Sequence, residues 1–218
     1  MRTLGVVVAA VIGMLALAVP ALAWDNGTGL RTGDVICTDQ VRADGGARFH
    51  GHVRAGTATV TIRVAATAGG PETVAWSGTG VTGDFNRYEY GAAGTHYRGC
   101  ITVTAHGAYT WARSSIMGLG AGAVGDLGPH TATLSAGAHA CGDWGLGDVH
   151  LTGSAGAPVT WYVTAFDQDY GFVGPVLSIG GATLDTGYSP PPDLSLLSLC
   201  VHNTSGGTVS VAYEMTVV

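Results

Sequence analysis

One stretch of this chain is written twice, each time around a cysteine. Leu30-Arg-Thr-Gly33-Asp-Val-Ile-Cys37 is matched by Leu134-Ser-Ala-Gly137-Ala-His-Ala-Cys141, with Leu and Gly keeping the same spacing ahead of the cysteine. The agreement runs on. Ala55-Gly56 leads into Val60-Thr-Ile-Arg-Val64, and Ala155-Gly156 leads into Val159-Thr-Trp-Tyr-Val163. Val74-Ala-Trp-Ser-Gly78 is then answered by Val176-Leu-Ser-Ile-Gly180, and a cysteine-led strand followed by a Tyr-containing strand closes each copy.

Four cysteines allow three pairings. The repeat selects Cys37 with Cys100 and Cys141 with Cys200, since the spans 63 (100 − 37) and 59 (200 − 141) then nearly match. Each bridge is expected to stabilise its copy by roughly 4 kcal/mol through loop closure.

The apolar period is two. In Ala58–Val64, Val60, Ile62 and Val64 fall on one face and Thr59, Thr61 and Arg63 on the other, the pattern of a half-buried strand. It recurs in Ile101-Thr-Val103-Thr and from Thr208 to Val217, with Gly-Gly pairs at 45–46, 69–70 and 206–207 as turns. The 36 glycines leave no long window with a helical apolar repeat, and Pro190-Pro191-Pro192 reads as an extended loop. The expected fold is all-β: two tandem disulfide-stapled antiparallel β-sandwich units, Ig-like or jelly-roll-like, after a cleaved signal peptide. The expected boundaries are 1–23 signal peptide, 24–115 first unit, 116–128 glycine-rich linker and 129–218 second unit, with Ile116, Met117 and Leu119 of the linker able to pack between the units. At fold level this resembles accessory β-sandwich modules of secreted bacterial proteins, a likeness without functional content.

Export rests on the N-terminus. Arg2, an apolar run from Leu4 to Val19, Pro20 and Ala21-Leu22-Ala23 form the three regions of a secretory signal, with cleavage expected after Ala23. No later stretch is long and apolar enough to span a membrane. All nine basic residues are arginine, and the net charge of −6 becomes −7 once Arg2 is removed. Such a surface offers nucleic acid no basic field. The expected partner is another secreted or cell-surface protein, with polysaccharide as the alternative.

No nucleophile elbow, zinc-protease motif or spare cysteine is present, and no cofactor motif. The protein is therefore expected to be non-enzymatic and without a cofactor, with a small extracellular hydrolase or inhibitor the least favoured reading. His50-Gly-His52 puts two imidazoles on one strand face, a metal candidate to which His96 and His106 could add ligands. Asp167-Gln-Asp169-Tyr-Gly171 opens like a calcium loop but has Gly171 where a third Asp or Asn should stand and Ser178 where the twelfth position calls for Glu. Among the aromatic residues Trp76, Trp111, Trp144 and Trp161 and Tyr88, Tyr90, Tyr97, Tyr162 and Tyr170, rings in polar or glycine-rich surroundings are the binding candidates. These are Trp144, Tyr88, Tyr90 and Tyr170, while Trp76 and Trp111 read as core.

Overall fold

The computed structural model describes residues 22–120, 123–167, 172–192 and 194–218. Thirteen strands and no helix occur among them: β1 Leu22–Leu30, β2 Val35–Cys37, β3 Gln40–Ala43, β4 Gly46–Ala65, β5 Thr73–Glu89, β6 Thr95–Leu119, β7 Val124–Leu127, β8 His130–Leu134, β9 His139–Gly145, β10 Val149–Asp167, β11 Phe172–Tyr188, β12 Leu194–His202 and β13 Val209–Val217. Most of the expected signal peptide lies outside the described residues, and β1 begins at Leu22.

Every pairing among the described residues is antiparallel, and apart from β3–β7 the pairings of the first half have counterparts in the second. β4 lies between β5 and β6, and β10 lies between β11 on one edge and β12 and β13 on the other. The place of the long β6 is thus taken by β12 and β13 together. Both middle strands break register near their Ala-Gly pair, where Ala55 has φ 56°. A bulge of this kind bends a strand and lets it pass from one layer to the next. Each long strand therefore serves two arrays. One runs β5-β4-β6-β2-β8-β13-β10-β11 and the other β5-β4-β6-β1-β9-β12-β10-β11.

The halves meet inside both arrays, because β1 pairs with β6 and β9, and β2 with β6 and β8. Residues 116–128, expected as a linker, supply the end of β6, with Ile116 fully buried, and β7, which pairs with β3. A buried carboxylate ties the join: Asp34 Oδ1 accepts from Ser135 N at 2.7 Å and Ser135 Oγ at 2.6 Å, while Oδ2 accepts from Arg31 N at 2.7 Å. One apolar cluster takes side chains from both halves, among them Phe49, Val60, Ile62, Ile101, Leu151, Trp161, Val163 and Tyr213.

Both disulfides form as the repeat requires, Cys37–Cys100 and Cys141–Cys200. Each joins directly opposed residues on neighbouring strands, with Cα–Cα separations of 4.1 and 4.0 Å. That distance fits the close, non-hydrogen-bonded pairs of an antiparallel ladder. The register opposite the bridges also shifts the repeat alignment by one pleat, since Thr61 faces Cys100 whereas Tyr162 faces Cys200.

Candidate functional site

Along the first part of β4, Ala47, Phe49 and Val53 point into the core. Period two then sends Arg48, His50, His52 and Arg54 to the outer face. Gly51 stands between the two histidines because its inner position is already filled: a Cβ there would collide with the backbone carbonyl oxygen of Arg113 and lie 2.6 Å from the ring of Phe85.

Cross-strand register completes the face. His50 opposes Asn86 and Ser115, His52 opposes Asp84 and Arg113, Arg48 opposes Tyr88, and Arg54 opposes Trp111. Arg48, His50, Asp84, Asn86, Arg113 and Ser115 line a groove of about 480 Å³. Among its described lining residues Asp84 is the sole carboxylate, and His52 Nδ1 lies 2.8 Å from its Oδ1. Arg48 Nε donates to Asn86 Oδ1 at 3.0 Å. Its guanidinium lies 5.7 Å from the Tyr88 ring, and that of Arg113 lies 5.5 Å from the Trp111 ring, within cation–π range. Burial, and then the charges of Arg48 and Arg113, hold the His50 pKa below the ordinary imidazole value. An imidazole kept neutral between two guanidiniums, with amide and hydroxyl groups around it, suits an anionic group donated from outside.

The face continues past Trp111, where Thr28, Arg54, Tyr109 and Trp111 line a second groove of about 650 Å³. Farther along, His139 and His202 stack with ring centroids 3.9 Å apart, and His139 Nδ1 lies 3.0 Å from the Tyr162 hydroxyl. Burial lowers the pKa of both histidines, with the neighbouring His202 adding to the effect on His139. Burial, with a smaller contribution from Tyr109, pushes Tyr162 up to about 12. Tyr162 thus keeps its proton at neutral pH and can donate it in a hydrogen bond to His139.

His50 and His52 share a face as expected, but His96 and His106 are not brought to them. His96 opposes Ala65, and His106 opposes Gly56 with its Nδ1 2.9 Å from Thr32 Oγ1. Among the described residues no group of three or more His, Cys, Asp or Glu side chains is placed to hold a metal. Asp169 and Tyr170 lie outside the described residues, and Asp167 ends β10 opposite Leu194. Tyr88 and Tyr90 are exposed. Trp144 is half-buried and packs edge-on against Phe166 at 4.9 Å. Trp76 is partly buried against the core, and Trp161 is fully buried.

Trp111, expected in the core, stands instead on the outer face beside His52, with ring centroids 5.8 Å apart. Arg113, two residues on and of the same parity, was the signal for this in the sequence. The His139/His202 pair was also legible, because each histidine is two residues from a partner in one disulfide and so shares that face.

No family model matches this sequence, and no curated protein does. Among solved structures, a deletion variant of the Bacillus subtilis oxalate decarboxylase aligns at 10% identity and a TM-score of 0.22, over 89% of this chain and 68% of that one. A tryptophan-to-tyrosine variant of that enzyme gives 12% identity, a TM-score of 0.22 and coverage of 89% and 69%. At such scores the likeness bears on neither fold nor function.

Proposed function

We propose that the chain is an exported, non-enzymatic binding or adaptor protein that holds a secreted or cell-surface partner by strand addition. The observation that carries this is the pair of long edges. β5 pairs with β4 alone and β11 with β10 alone, so among the described residues each 17-residue strand has one unpaired side. A free edge offers a row of backbone donors and acceptors to an incoming strand. Gly80 and Gly83, with φ of 68° and 72°, bend β5 and so guard it against indiscriminate pairing. We read the finer architecture as jelly-roll-like, with the two copies folded together in one duplicated sandwich.

The experiment is affinity purification of tagged protein from culture supernatant. The mature chain is expected to begin at Trp24 and to retain a reproducible partner. Thr79 and Thr82 have no opposite residue in β4, so Thr79→Pro with Thr82→Pro alters the β5 edge without replacing a residue of the β4–β5 register. Loss of the partner in that variant supports the reading, and an isolated monomer without partner overturns it. Polysaccharide is the second reading, favoured by the groove around Tyr109 and Trp111. Retention on insoluble glycans that is lost in Trp111→Ala supports it, and retention unchanged in Trp144→Ala and Tyr88→Ala would confine it to that groove.

A further inference from the structure

The outer faces of the two halves can be compared position by position. Arg48 and Asp148 stand at the same distance before their Ala-Gly pair, as do His50 and His150, His52 and Thr152, and Arg54 and Ser154. Across the ladder, Asp84 and Arg113 oppose His52, while Asp185 and Glu214 oppose Thr152. The carboxylate on the edge strand and one histidine are kept. Both guanidiniums beside that histidine are replaced by carboxylates.

The substitution is a reversal of sign at two matched positions, Arg48 against Asp148 and Arg113 against Glu214. Arg113, Asp148 and Asp185 are exposed, and Arg48 and Glu214 are partly so. Asp185 already engages the second half's histidine, with Oδ1 2.8 Å from His150 Nε2, as Asp84 engages His52 in the first. The two faces thus share the ladder register around His52 and Thr152, each holds a His–Asp contact, and they carry opposite charge, with Asp148 standing just before β10. They also lie in different arrays: the β4 face belongs to the array containing β1 and β9, and the β10 face to the array containing β8 and β2.

We propose that this complementarity is for a second copy of the chain: the Arg48/Arg113 face of one molecule docks on the Asp148/Glu214 face of the next. The inference rests on the binding-protein reading and names the partner. Because both positions are reversed, either orientation of one face on the other sets guanidinium against carboxylate, Arg48 and Arg113 meeting Glu214 and Asp148 or the reverse. Each molecule carries one face of each sign, so the contact is heterologous and propagates into a ring or chain. An acidic mature molecule, of net charge −7 once Arg2 is removed from the full chain's −6, would otherwise repel its copies, and the cationic face supplies the local exception.

The test uses the disulfide-intact mature protein in sedimentation velocity over a concentration series at low salt and at about 0.5 M salt, where screening acts within a few ångströms. Concentration-dependent assembly at low salt, weakened at least tenfold by salt, is expected. Arg48→Glu with Arg113→Glu is expected to stay monomeric, as is Asp148→Arg with Glu214→Arg. A mixture of the two double variants is expected to assemble, because each now carries two faces of one sign. Circular dichroism and thermal melting of each variant establish that it is folded. Wild-type protein that stays monomeric at low salt overturns the inference, as does assembly unchanged by both reversals. A monomer that still retains a culture partner through its β5 edge would sink this inference while leaving the binding reading intact. Assembly of copies with no other partner would do the opposite.

Discussion

The two halves keep the same strand pairings and differ in what fills them. In the first, Gly51 on β4 opposes Phe85 on β5; at the matching place in the second, Leu151 on β10 opposes Thr186 on β11. A small residue beside a large one has been exchanged for a large one beside a small one, so the inner volume is conserved while its source strand changes. The outer face obeys no such constraint. There Arg48, Arg54, Trp111 and Arg113 stand where the other half has Asp148, Ser154, Ala212 and Glu214. Packing density holds the inside to compensated changes, whereas a solvated face is free to reverse its charge.

The largest expected effect tests whether the halves are energetically equivalent. Cys37→Ala with Cys100→Ala, and separately Cys141→Ala with Cys200→Ala, should each lower unfolding free energy by about 4 kcal/mol, since the loops of 63 and 59 residues are nearly equal. Denaturant titrations differing by more than about 2 kcal/mol between the pairs would break the equivalence.

Next comes the join. The carboxylate of Asp34 accepts from both the backbone and the hydroxyl of Ser135, while the corresponding residue of the second half is Ala138. Asp34→Ala should cost about 1–2 kcal/mol, because it leaves the half-buried Ser135 donors and Arg31 N without their acceptor. A loss under about 0.5 kcal/mol in urea unfolding would remove this link from the account.

The inner exchange gives a smaller effect. Gly51→Leu alone should destabilise by about 1–3 kcal/mol by overpacking against the Arg113 carbonyl and the Phe85 ring. Adding Phe85→Thr copies the second half's pair, and differential scanning calorimetry should show part of the loss restored. No recovery would show that the Arg113 carbonyl, rather than the Phe85 ring, excludes a side chain at position 51.

The smallest effect is titration. His50, His139 and His202 have folded pKa values below the ordinary 6.5. Protons therefore bind the unfolded chain first as pH falls. The histidine contribution to stability is complete above about pH 6.5 and is lost as pH drops through the lowered folded values. Melting temperature should fall over that window. Arg113→Glu should raise the His50 pKa in an NMR titration, because one of the charges that lowers it is inverted; an unchanged value would remove Arg113 from the causes and leave burial and Arg48.

The sequence alone determined the strand class, both disulfides and the inward set of the closing strand, because period two and the duplicated cysteine frame are local patterns. It also carried enough parity to place His50 with His52, and His139 with His202. Only the tertiary structure decided that β1 and β2 each pair with strands of both halves, and that β5 and β11 are left with open edges. It alone brought the Arg48 row of β4 beside Arg113 of β6, distant in sequence. Such pairings depend on where a bulged strand turns and which edge remains free to accept a partner, and no local pattern encodes that choice. Trp111 shows how the two combine: the parity of Arg113 pointed it outward, and the strand register alone set it opposite Arg54 and beside His52.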